Sequence, residues 1–245
     1  MKKLLVFTAL VLFLSSLIAL ESDPSEVVGF VKTTATAGSY SYFSLPFTFY
    51  VGGTETMALD DIIGTQLTGG NIVTGDRIIE VGTGTYAYLN SSTNTWSGAL
   101  TNFTDNYPYQ YKVHTSHSTK DVYLAGNVEQ EVQVMPYSCA IGYTMYGIRE
   151  AGSVDVSALD LVDSGFTGGN VLTSDRFIDA TSGSYAYYNT STSAWAGGLT
   201  NIEPANVYKV KVQSSHTAFT WTYDPTDNPA RTVNPMTKKI HSNMK

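Results

Sequence analysis

Only one cysteine, Cys139, stands in the 245 residues, so no internal disulfide can brace this chain and its core must hold it unaided. Charge is scarce as well. Asp, Glu, Lys and Arg make up 14% of the sequence, and acids outnumber bases for a formal net charge of −7, a poor match for nucleic acid. Beyond residue 20 no run is long and apolar enough to span a bilayer. Helical periodicity is nearly missing, apart from a short turn near Leu59 or Leu159. Gly-x-Ser-x-Gly, His-Glu-x-x-His and phosphate-loop patterns do not occur, so neither an enzyme nor a cofactor is expected. Cys139 has acids, Glu129, Glu131 and Glu150, as its nearest charges in sequence and reads as a small buried apolar residue.

Glycine and tyrosine are abundant, at 21 and 17 residues, together with Ser, Thr and Asn. Tyr and Thr favour pleated surfaces, and Gly, Asn and Ser favour turns, so the composition reads as all-β. The strongest pattern is internal. Residues Thr68 to His117 recur as Thr167 to His216, offset by 99 without a gap, with 25 of 50 positions identical. Solenoid units run to about 20–50 residues, so a period near 100 points instead to a tandem duplication of whole domains. Each copy carries short alternating segments every 8–12 residues or so, which fits a β-sandwich or small barrel.

Two lysines and an uncharged run from Leu4 to Leu20 open the chain and read as a secretory signal peptide, residues 1–20. Its removal leaves 12 basic against 21 acidic side chains, a net of −9. The expected order is a first β-domain over 21–127, a second over 128–223, and an extended basic tail over 224–245 containing three prolines. Export, to the medium or to a cell surface, with no membrane association after cleavage, is the expected localisation.

Along the first copy come Val28-Gly29-Phe30-Val31-Lys32, then Phe43-Ser44-Leu45-Pro46-Phe47, where Pro46 should end, bend or edge a strand. Gly75-Asp76-Arg77-Ile78-Ile79 and its copy Ser174-Asp175-Arg176-Phe177-Ile178 follow a Thr-Gly-Gly-Asn turn. Tyr86-Ala87-Tyr88 and Tyr185-Ala186-Tyr187-Tyr188 precede a polar turn and the pattern Trp-x-Gly-x-Leu at Trp96 and Trp195. Together these words resemble tandem repeat modules of bacterial secreted and cell-surface proteins. Those modules usually carry Pro-Gly-x-Gly-Tyr in the last loop; here the loops read Asp105-Asn106-Tyr107-Pro108-Tyr109 and Pro204-Ala205-Asn206-Val207-Tyr208. The resemblance implies an exported, modular, non-catalytic role and brings no catalytic residues.

Candidate contact residues are Trp96, Tyr86 and Tyr88, with Trp195, Tyr185 and Tyr187 in the second copy. On an exposed sheet such rings could stack on sugars; facing inward they are core with hydroxyls at the rim. Asp76-Arg77 and Asp175-Arg176 point to opposite faces as strand neighbours, so each aspartate should bond the glycine-rich turn while the arginine covers apolar surface or meets a carboxylate elsewhere. Asp60, Asp61, Asp155, Asp160 and Asp163 lack the spacing of a calcium loop. His117 and His216 have no metal-spaced partners, so no metal site is expected. Two roles fit: a structural protein that self-assembles with copies or other cell-surface components, head to tail in a fibre if the contacts do not close, or a binding module for extracellular polysaccharide.

Overall fold

The computed structural model describes residues 28–51, 54–128 and 135–224. The expected signal peptide lies outside the described residues, as does all but Asp224 of the expected tail. The N-terminal half runs through β1 (Val28–Ala35), β2 (Tyr40–Phe43), the short β3 (Tyr50–Val51) and β4 (Thr54–Glu55), and the one-turn helix α1 (Leu59–Ile62). It continues with β5 (Arg77–Glu80), β6 (Tyr86–Asn90), β7 (Thr95–Gly98), β8 (Tyr109–Lys112) and β9 (Lys120–Asn127). The C-terminal half holds β10 (Met135–Cys139), β11 (Gly142–Gly147), β12 (Val154–Asp155) and a 3-10 turn at Val156–Leu159. Then follow β13 (Arg176–Asp179), β14 (Tyr185–Asn189), β15 (Ala194–Gly197), β16 (Asn201–Ile202), β17 (Val207–Val212) and β18 (Phe219–Tyr223).

The protein is all-β, built of antiparallel sheets. Five strands in the order β2-β8-β5-β6-β7 form one sheet, and β11-β17-β13-β14-β15 form another of the same order. In each half the first long strand pairs with the last, β1 with β9 and β10 with β18, so each chain segment is closed on itself by its own ends. No sheet among the described residues closes into a barrel. The layers are open and face to face: Ala35, Val122 and Leu124 of the two-stranded sheet share one core with Phe43, Ile78, Ala87 and Tyr111 of the five-stranded one.

Local chemistry explains the element ends. Pro46 follows the end of β2 at Phe43, as a residue without an N–H donor requires. In the Trp-x-Gly-x-Leu pattern, Gly98 and Gly197 have φ of 142° and 118°, and a Cβ there would sit 2.5 Å and 2.2 Å from the carbonyl oxygens of Tyr86 and Tyr185. Only glycine fits both demands.

The cores of the two halves are filled differently. Position 111 is tyrosine where its counterpart 210 is valine, and position 122 is valine where 221 is tryptophan. In the N-terminal half Tyr111 stacks on Phe43 at 3.9 Å and reaches the opposite layer, its hydroxyl 3.1 Å from Thr33 Oγ1. In the C-terminal half the bulk comes from the other layer: Trp221 stacks on Tyr137 at 4.7 Å and donates its Nε1–H to the Leu159 carbonyl at 2.6 Å. The large aromatic side chain switches from one sheet to the other, which a core filled from both layers permits.

The halves meet through reciprocal contacts. Register places Tyr40 opposite Lys112 and Tyr143 opposite Lys211, which makes Ser44 and Gly147 equivalent positions. Ser44 N–H donates to the Ala205 carbonyl and Gly147 N–H to the Asn106 carbonyl, both at 2.9 Å. Asn106 and Ala205 are themselves 99 residues apart. Ser44 and Gly147 also touch, since a Cβ on Gly147 would lie 2.6 Å from Ser44 Cβ. Equivalent residues meeting each other are the mark of an approximate two-fold relation. Arg149, buried, adds an ion pair to Asp105 and a 3.3 Å hydrogen bond to Thr48 Oγ1 across the same junction. Ala205 is buried in the core of the N-terminal half.

Candidate functional site

Alternation along β6 sends Ala87 and Leu89 into the core and leaves Tyr86 and Tyr88 half-buried on the outer face. The register then separates the aromatic residues picked out from sequence. Leu89 pairs with Trp96, so Trp96 shares the inner face and lies across the sheet from Tyr86 and Tyr88. Its Nε1–H donates to the Gly64 carbonyl at 2.9 Å, and its backbone N–H donates to Asp60 Oδ1 at 3.1 Å, which pins α1 to β7. Trp195 pairs with Tyr188 and packs on Phe166 at 5.3 Å, again on the side away from Tyr185 and Tyr187. A single platform built of tryptophan and tyrosine together is therefore not formed. Strand pairing parts the two residue types: cross-strand partners share a face, and the tryptophans pair with inward residues.

The outer faces hold a different set. On the first five-stranded sheet, Tyr40, Lys112, Arg77 and Tyr88 lie in one cross-strand row, with Tyr42, Gln110, Ile79 and Tyr86 in the next. On the second, Tyr143, Lys211 and Arg176 repeat the first row, and Met145, Lys209, Ile178 and Tyr185 repeat the second. Each cation rests over a ring. Arg77 and Arg176 lie 5.0 Å from the centroids of Tyr86 and Tyr185, Lys112 lies 5.2 Å from Tyr40, and Lys211 lies 5.6 Å from Tyr143. Lys209 reaches across the junction to Tyr42 at 5.7 Å, so the two outer faces adjoin. Tyr40 and Tyr143 are exposed, at 52% and 64%. The signal for these added residues lay in the alternation of Tyr40-Ser41-Tyr42 and Lys209-Val210-Lys211, but only register brings them to one surface.

The duplicated aspartates sit underneath. Asp76 is fully buried; its Oδ2 accepts the Thr68 N–H at 2.8 Å, and its Oδ1 accepts the His114 N–H at 2.9 Å and lies 2.7 Å from His117 Nδ1. Asp175 repeats this with Thr167, Gln213 and His216 at 2.8, 2.9 and 2.7 Å. The aspartate bonds the glycine-rich turn, and the adjacent arginine leaves for the other face, where Arg77 also donates to the Ile72 carbonyl and Arg176 to that of Val171. The histidine partner escaped the sequence because it lies 41 residues away. This pair fixes the turn that carries the arginine.

Among the described residues no three His, Cys, Asp or Glu side chains gather as a metal site. Cys139 is fully buried, and burial pushes its thiol up to about 11, which holds it in the unreactive protonated form. No family model matches the chain, and no match is found among curated proteins or solved structures.

Proposed function

We propose that this chain is an exported, non-catalytic protein made of two duplicated β-domains, whose outer tyrosine and cation face contacts an extracellular polysaccharide. The observation that carries this reading is the adjoining of the two outer faces at Tyr42 and Lys209, which doubles the surface one domain would offer. The exported, modular role is the one that the resemblance to secreted repeat modules implies. Asn106 and Ala205 have φ of 62° and 63°, at the place in the last loop where those modules carry glycine. Affinity electrophoresis of the mature chain through gels holding dextran, xylan or polygalacturonate tests the reading. The Tyr86→Ser/Tyr185→Ser variant is expected to lose retardation at unchanged melting temperature, whereas Trp96→Ala/Trp195→Ala lowers the melting temperature. Retardation by none of the polymers overturns it.

A second reading, self-assembly at a cell surface, is favoured by Phe30 and Tyr123. They stack at 5.5 Å while 67% and 44% exposed, beside Val28 at 66%, on the outer side of the β1 and β9 pair. The reciprocal junction between the halves closes on itself, so a fibre would need this separate surface. A strictly monomeric chain in sedimentation at high concentration overturns that role.

A further inference from the structure

Taking the outer face as the contact surface, we propose that its ligand is an anionic, uronate-bearing polysaccharide whose carboxylates meet Arg77, Lys112, Arg176, Lys209 and Lys211. The charge distribution is the first ground. Eight Lys and Arg occur among the described residues, and five of them stand on this face of an otherwise acidic chain. No Asp or Glu occupies the paired strand positions that share it. The acids among the described residues do not neutralise the five. Lys32 pairs with Asp121 and Arg149 with Asp105, but among the described residues no carboxylate oxygen lies within 4.0 Å of any cation on the face.

The second ground is how the cations are held. A tyrosine ring beneath each head group attracts it through the ring quadrupole and restricts it to the sheet surface, so less side-chain freedom is lost on binding. Arg77 and Arg176 each spend one N–H on a turn carbonyl and keep further donors for a ligand. The half-exposed phenol rims supply partners for sugar hydroxyls and apolar edges for sugar C–H faces.

Repetition is the third ground and selects the class of polymer. Arg77 and Lys112 recur as Arg176 and Lys211, so the face offers the same chemistry twice. A polysaccharide with a repeating acidic sugar presents matching chemistry to both copies; the surface of a folded acidic protein does not repeat in this way.

The full mature chain is titrated calorimetrically with polygalacturonate, dextran, poly-L-glutamate and duplex DNA at rising salt. Binding to polygalacturonate that weakens with salt supports the proposal. So does an affinity at least about tenfold lower in Arg77→Gln/Lys112→Gln/Arg176→Gln/Lys211→Gln, with Lys112→Arg/Lys211→Arg keeping wild-type affinity. Should the fourfold variant fail to fold, the salt series on the unaltered chain decides. Dextran binding of equal strength and indifferent to salt overturns the anionic class while leaving the face as a contact surface. Equal binding of poly-L-glutamate or DNA overturns the polysaccharide, and salt-sensitive self-association assigns the face to a second copy instead. No binding of any polymer overturns both this inference and the reading it rests on.

Discussion

Ala205 holds a backbone conformation that its side chain resists. With φ at 63° its Cβ crowds the following carbonyl, a strain that glycine would not carry. Ala205→Gly is therefore expected to raise stability, by up to about 1 kcal/mol once the extra freedom of unfolded glycine is subtracted. Asn106, at φ 62°, should show no such gain. Asparagine tolerates this region, and its Oδ1 accepts the Tyr137 hydroxyl at 3.2 Å, a bond that Asn106→Gly deletes. Chemical denaturation of the two variants checks the contrast. The bonding of Asp76 to its glycine-rich turn was legible because the turn is eight residues away and the chemistry of aspartate at turns is local. The His117 half of that arrangement was not, since nothing in either residue's neighbours specifies a partner 41 positions off.

Between elements, the exchange of bulk from Tyr111 to Trp221 links two layers that lie far apart in the chain. Trp221→Val alone empties the centre of the C-terminal core and is expected to cost about 3 kcal/mol or more, the range for large-to-small changes in a packed interior. Adding Val210→Tyr and Tyr137→Thr recreates the packing of the N-terminal half, and thermal unfolding should recover a large part of the loss. Such recovery is the non-additivity expected of residues that share one space. The alternation of Tyr40, Tyr42, Tyr86 and Tyr88 with small or apolar neighbours was readable from a period of two. Which face carried the tryptophans was not, because it depends on the register of β6 with β7 and of β14 with β15.

For the molecule as a whole, buried phenols set an upper limit on pH. Burial pushes Tyr109 up to about 12 and drives Tyr111, Tyr137, Tyr146 and Tyr208 upward still further from their ordinary value of 10.0. Each is raised in the folded chain, so the stability it contributes is intact below about pH 10 and is lost as pH climbs toward the folded value. Tyrosinate absorbance and circular dichroism followed together should show these five ionising only as the β signal collapses above about pH 10. Both halves contribute to this limit, and the reciprocal bonds of Ser44 with Ala205 and of Gly147 with Asn106 bind them into one body. The sequence by itself determined what neighbouring residues decide: an all-β chain, turns at the Thr-Gly-Gly-Asn repeats, glycine in the Trp-x-Gly-x-Leu words, and a 99-residue period. Tertiary structure alone decided the reciprocal junction, the parting of tryptophan from tyrosine across each sheet, and the gathering of five cations on one face. Turn conformation and side-chain alternation are set within a few residues, whereas strand order and register are chosen by burial between segments remote in sequence.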